Sequence, residues 1–197
     1  MTLALAPEAQ ELLFTQARTA NTFSAEPVTE DQVRAIYDLV KYAPTAMNGQ
    51  PLRVVLVRSD EARQRLVTHM SPGNQAKTSG APLVAILAAD IDFHDELHRT
   101  FPHFEGARDL FVDDEAGRTE TAIRNGFLQV AYFILGVRAA GLAAGPMTGF
   151  DAIGVEKEFF TDGRHKVLAI VNIGQPGEAA WFDRLPRLDY EDVVTAA

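Results

Sequence analysis

Three groups of side chains in this 197-residue sequence have the types and spacing to do chemistry. The first is Pro44-Thr45-Ala46-Met47-Asn48-Gly49-Gln50-Pro51, where a hydroxyl and two carboxamides lie between two prolines. Asparagine and glutamine donate and accept together, which suits the edge of a planar, hydrogen-bonding ring. The same letters also make a tight turn, with Asn48-Gly49 as the pair tolerant of positive φ. The second group is His94-Asp95-Glu96-Leu97-His98, followed by His103 and Glu105. Two imidazoles four residues apart can share a metal on a helix face. Asp95 replaces the glutamate that a zincin motif requires, and a solvated acidic helix explains the segment without a metal. The third group is dispersed: Arg18-Thr19-Ala20-Asn21, Asn74-Gln75-Ala76-Lys77, Pro146-Met147-Thr148-Gly149 and Arg184-Leu185-Pro186-Arg187. Helix-dipole complementarity accounts for Arg18, and solubility for Lys77 and Arg187. Taken together, cations kept at element ends suit a phosphate.

Composition narrows the chemistry. Eighteen basic against 27 acidic residues give a net charge of −9, which excludes a broad nucleic-acid face. Any anionic ligand must therefore be held by a few cations acting against the global field. Without cysteine there is no disulfide framework, thiolate metal site or cysteine nucleophile. No G-x-S-x-G elbow, Walker A loop or G-x-G-x-x-G fingerprint occurs. Gly141, Gly145 and Gly149 read as a helix cap followed by turns. The start lacks a positive leader, and no apolar run is long enough for a bilayer. The expectation is a soluble, cytoplasmic protein with one domain over 1–197.

The elements that must position these groups follow from periodicity. A first helix is expected over 7–19 from Pro7, and a second from a capping box at Thr29, stopped by Pro44. Leu52–Val57, Leu83–Ala88, Ala143–Met147 and Lys166–Gly174 read as strands. Ser59–Met70 is a short charged helix, and Ile153–Phe160 another. Glu120–Leu142 is apolar almost all round and reads as a central buried helix capped by Gly141. Residues 90–114 are polar and irregular, in the manner of a cover over a site. The tail beyond Gln175 reads as an extended arm. Interleaved helices and strands indicate an α/β sandwich.

In this order, Arg18-Thr19, the 44–51 segment, Asn74 with Lys77, Gly145-Pro146-Met147-Thr148-Gly149-Phe150 and Arg187 resemble the nitroreductase family of flavin enzymes. The similarity is greatest to its malonic semialdehyde reductase branch, involved in pyrimidine degradation. Thr15–Asn21, Phe101-Pro102-His103, Gly145–Asp151 and Arg184–Leu188 carry that closer likeness.

The resemblance implies a three-layer α-β-α sandwich of the α+β kind, with a mixed, mainly antiparallel sheet. It also implies a long central helix and a C-terminal arm swapped in a homodimer. It implies FMN at the interface and NADH or NADPH as donor, in a ping-pong cycle with chemistry on the flavin and no catalytic side chain except Thr45 as a possible proton source. Arg18, Thr19, Asn21 and Arg187 would contact the phosphate, ribityl chain or ring edge. Pro44, Thr45, Ala46, Asn48 and Gln50 would lie near the isoalloxazine, with Thr45, Ala46 and Asn48 supplied by the partner. Asn74 and Lys77 would face the pyrimidine side, and Pro146, Met147, Thr148 and Gly149 the N5 region. Thr148 and Asn21 depart from a commoner glutamate and a more basic motif. A small aldehyde acid would need a cation, for which Arg108, Arg118 and Arg124 are candidates. A nitroaromatic or quinone reductase, a non-catalytic flavin-binding dimer and a metal hydrolase on His94 and His98 are the rival readings.

Overall fold

A computed structural model describes residues 3–197. The N-terminal segment forms α1 (Pro7–Gln10) and then a π-helical turn over Glu11–Thr15, after which the chain is extended. The expected longer helix therefore stops before Arg18. Next come α2 (Glu30–Val40), β1 (Leu52–Val57), α3 (Asp60–Thr68), α4 (Pro72–Ser79), β2 (Leu83–Asp90), α5 (Leu97–Thr100), α6 (Glu115–Ala139), β3 (Ala143–Met147), α7 (Ala152–Phe159), β4 (His165–Gly174) and α8 (Tyr190–Val193). Thr29 caps α2 in a reciprocal box with Gln32, and Ser59 caps α3 through Ala62.

The four strands form one sheet in the order β1-β2-β4-β3, and each pairing among the described residues is antiparallel. Both faces are covered. On one side Leu83, Ala85, Leu87 and Ala89 of β2 pack with Ile36 and Val40 of α2 and Val130, Phe133 and Val137 of α6. On the other, Val84, Ile86 and Ala88 meet Leu66 of α3, Val155 of α7 and Met147 of β3. That alternation makes β2 buried at all eight positions and gives three layers, α-β-α. A bulge at Leu87/Ala88 shifts the register with β4, so Leu168 and Ala169 both serve the α2/α6 side.

Helix α6 ends as expected at Gly141, whose φ of 74° closes a Schellman motif. Gly141 donates to the Arg138 carbonyl and Leu142 to that of Val137. Gly136 lets α2 approach closely, since a Cβ there would lie 3.2 Å from Cγ2 of Ile36 and closer still to Val40. The helix is not buried all round, contrary to the reading of its sequence. Phe127, Leu128 and Tyr132 are 40–50% exposed along its outer face. One chain supplies no layer beyond α6 to cover them. The tail from Trp181 onward is exposed throughout.

Candidate functional site

Strand β3 is an edge of the sheet, and two of the dispersed groups line up along it. At its start Ala20 donates to the Ala144 carbonyl at 3.1 Å. Gly145 is required here, because a Cβ would sit 2.8 Å from the Ala20 carbonyl oxygen. Beyond its end, Ser71 donates to the Gly149 carbonyl at 3.1 Å, and the Asn74 Nδ2 reaches the same oxygen at 2.9 Å. A Cβ on Gly149 would fall 2.8 Å from that Nδ2, so only glycine lets backbone and carboxamide approach this closely. No element was expected over Asn74 and Lys77. They lie on α4, one turn apart and hence on one face. Pro72 at the first helical position begins that helix, a signal present in the sequence.

The structure thus brings Arg18, Thr19 and Asn21 to one end of the β3 edge, and Asn74, Lys77, Thr148 and Gly149 to the other. Thr148 is exposed, while Pro146 and Met147 are held in the strand. Arg187 lies out on the exposed tail, where its guanidinium donates to the carbonyls of Leu185 and Pro186. It does not reach the other cations within the chain.

The 44–51 segment is elsewhere. It enters β1 at Leu52, which pairs with Ala89, whereas Ala144 pairs with Ile173, itself opposite Leu83. The segment therefore stands at the opposite edge and the opposite end of the sheet from Arg18, and one chain does not join the two. Its conformation is strained: Met47, Asn48 and Gln50 have φ of 52°, 50° and 44°. Gly49 does not supply the positive φ expected of it. It is glycine because a Cβ would lie 2.8 Å from Cδ2 of Phe93. Backbone in such regions persists only where its surroundings hold it, and such sites cluster where ligands bind.

Here the restraints are explicit. Asn125 Oδ1 accepts from the Ala46 N–H at 2.7 Å, and Gln129 Oε1 from Leu52 at 2.9 Å. Asn48 Nδ2 donates to the Thr100 carbonyl, Gln50 Nε2 to Asn48 Oδ1, and the Gln50 N–H to Thr45 Oγ1. The Asn48 and Gln50 amides are thus partly committed within the chain. Pro44, Ala46 and Asn48 remain exposed. Asn125 and Gln129 went unread as functional, although two carboxamides four apart on an apolar helix are a legible signal.

The histidine pair does not form a site. His94 lies in a 3-10 turn and is buried against Phe93 and Phe111, whereas His98 is exposed and bonds the Asp95 carbonyl. Among the described residues no three metal-ligating side chains converge. Burial lowers the His94 pKa, as do the charges of Arg118 and Arg108, against the opposing pull of Asp95 and Asp92. The unfolded chain takes up this proton near the usual 6.5 while folded His94 resists, so stability present above that pH is lost as pH falls towards the folded pKa. The melting temperature is expected to drop between pH 7.5 and 5.5, and His94→Phe to shrink the drop. An unchanged drop in the variant contradicts this.

The candidate substrate cations are all neutralised. Arg108 pairs with Asp95 at 2.9 Å, Arg118 with Asp92 at 3.2 Å, and Arg124 with Glu120. By contrast Arg18, Lys77, Arg184 and Arg187 make no ion pair among the described residues. Uncompensated cations beside carboxamides and close-packed glycines fit a phosphorylated, hydrogen-bonding ring such as FMN.

Residues 15–175 match the nitroreductase family model. The chain belongs to the nitroreductase family. A Streptomyces griseus protein is 62% identical over 195 residues, spanning 99% of both chains, and a Streptomyces coelicolor protein is 63% identical over the same shares. Both are named, provisionally, NADH dehydrogenase/NAD(P)H nitroreductase. Among solved structures, an Exiguobacterium sibiricum nitroreductase in complex with FMN superposes with a TM-score of 0.85 at 17% identity, covering 100% of each chain. A Bacillus subtilis nitroreductase gives 0.83 at 23%, covering 96% of this chain and 99% of that one. These two confirm the nitroreductase fold. No helix among the described residues is long and apolar enough to cross a membrane.

Proposed function

We propose that this nitroreductase is an FMN-dependent NAD(P)H oxidoreductase whose site is completed by a second copy of the chain, with malonic semialdehyde as acceptor and 3-hydroxypropanoate as product. The observation that carries the reading is the placement of Arg18 and Lys77, neither in an ion pair among the described residues, with the bonded pair Asn74 and Gly149 along the β3 edge of an acidic protein. The relatives' names and the FMN held by the Exiguobacterium protein agree with it. Bound FMN supplies the two-electron chemistry between NAD(P)H and the acceptor.

The chain's own residues supply position and charge. Arg18, Thr19 and Asn21 hold the phosphate and ribityl end, joined by Arg187 once the tail is seated. Gly149 allows the backbone to approach the ring, and Asn74 is held by the Gly149 carbonyl with its Oδ1 left to accept. Lys77, one turn on, places a positive charge where reduction accumulates negative charge. Replacing it with alanine is expected to move the flavin midpoint potential negative by about 30 mV, the two-electron equivalent of about 1.4 kcal/mol. An unchanged potential in the variant contradicts that role. Thr45 is within reach of the acceptor only when a partner brings it.

Three features support the dimer. The strained 44–50 segment stands diagonally across the sheet from Arg18. The outer face of α6 is apolar and uncovered. A groove of about 570 Å³ runs beside the free edge of β1, with Tyr37, Leu52, Val54 and Phe133 among its apolar lining and Arg34 and Asp38 among its charged lining. The exposed tail carries Leu185, Leu188, Tyr190, Val193 and Val194, an apolar series suited to that groove in the partner.

The malonic semialdehyde branch is supported by the Phe101-Pro102-His103 and Arg184–Leu188 motifs. The engagement of Arg108, Arg118 and Arg124 in ion pairs favours a second reading, a broader nitroaromatic or quinone reductase that needs no carboxylate cation. Steady-state kinetics with malonic semialdehyde, a nitroaromatic and a quinone separate them. A kcat/KM for the aldehyde acid at least tenfold above the others supports the first. The reverse order establishes the second.

A further inference from the structure

The segment that leaves the π-turn, up to residue 24, runs antiparallel to 175–184, and a series of hydrogen bonds joins the two. Ser24 donates to the Gln175 carbonyl at 2.9 Å, Gly177 to Thr22 at 3.1 Å, Thr22 Oγ1 to Glu178 at 2.6 Å and Asn21 to Ala180 at 3.0 Å. Phe23 and Pro176 form a bridge, and Gly177 passes so close that a Cβ would lie 3.0 Å from the Phe23 backbone. At the far end the ladder is continued by two guanidinium groups pointing in opposite directions. Arg18 Nη1 donates to the Phe182 carbonyl at 3.1 Å. Arg184 Nη2 donates to the carbonyls of Thr15 at 2.6 Å and Ala17 at 3.2 Å.

Each arginine is thus held by backbone carbonyls and by no carboxylate, which fixes its place without neutralising its charge. The contacts of Arg184 fall on the two residues that bracket Gln16, immediately before Arg18 and Thr19. Arg18 itself lines a cavity of about 200 Å³ together with Arg138, Ala143, Ala144 and Trp181. No regular element orders Ala17–Asn21, since the π-turn ends at Thr15.

The geometry points to Arg184 as a positioning residue for the phosphate-binding segment, making FMN affinity conditional on the seating of the 175–184 strap. The inference rests on the FMN reading above. The arm that follows Arg184 is the one expected to enter the partner, so the same residue links arm seating to cofactor retention. A charge-assisted hydrogen bond is worth enough that losing the clamp should cost on the order of tenfold in affinity.

The test is titration of flavin-stripped, full-length protein with FMN, read by quenching of flavin fluorescence, for wild type, R184A, R184K, R18A and R18A/R184A. Arg184 is exposed, so its replacement leaves the core intact, and R184K keeps a cationic donor for the same carbonyls. We expect about tenfold weaker binding in R184A, recovery of most of it in R184K, and little further loss when R184A is added to R18A. Wild-type affinity in R184A overturns the inference while leaving the FMN reading intact. Full additivity of the two losses also overturns it, because Arg184 would then act independently of Arg18. Failure of all five proteins alike to bind FMN overturns the FMN reading, and the inference with it.

Discussion

Replacing Phe127 with aspartate is expected to leave a folded protein that is monomeric and binds FMN at least about a hundredfold more weakly. Phe127 is 46% exposed on α6 beside Leu128 and Tyr132, so a carboxylate there costs the isolated chain little. In the proposed dimer the same position would be desolvated, and an unpaired buried carboxylate costs several kcal/mol, against about 1.4 kcal/mol for each tenfold in affinity. The link to FMN is geometric. Asn125, two residues away on the same helix, holds the Ala46 N–H, and the 44–50 segment cannot reach the Arg18 end of the sheet within one chain. Light scattering gives the mass, FMN titration the affinity, and thermal unfolding the fold. A variant monomer with wild-type FMN affinity would contradict the two-chain site.

Phe93→Ala is expected to cost about 3–5 kcal/mol of stability, the range for emptying a large aromatic from a packed core. Phe93 is 2% exposed, with its ring 5.1 Å from that of Phe111 at 67° and its edge against Gly49. It joins the 90–114 segment to the strained segment, so its loss should also release Met47, Asn48 and Gln50 towards ordinary φ values. Urea unfolding measures the first effect, and faster amide exchange over 46–50 the second. Phe93→Leu should recover much of the stability. A loss below about 1 kcal/mol in the alanine variant would mean that the ring carries no core role.

Strands β1, β2 and β4, the capping box at Thr29 and the cap at Gly141 were legible because each rests on a local signal: apolar runs rich in Val and Ile, a side chain three residues from its partner, or a residue with unusual φ. The segments proposed to hold FMN were legible as letters but not as geometry. Nothing local in Asn48-Gly49-Gln50 says that Gly49 faces a phenylalanine 44 residues on while its neighbours take the positive φ. Reading α6 as buried all round failed for a related reason. Its apolar pattern describes every surface the helix covers, including any face met only by another chain. Helix α4 went unread because its Pro72 start is followed by Gly73 and Asn74, both weak helix formers, and the burial of Thr78 beside Met147 is a tertiary feature. The ion pairs of Arg108 and Arg118 with Asp95 and Asp92 are set by the 90–114 segment, whose folding the sequence left open.

The central claim is that this chain builds a site for FMN reduced by NAD(P)H. The absorption spectrum of the purified protein, recorded without oxygen before and after addition of NADH or NADPH, tests it most directly. Flavin bands that bleach with either donor and return with an acceptor are the expected result. A colourless protein that takes up no added FMN would contradict the account.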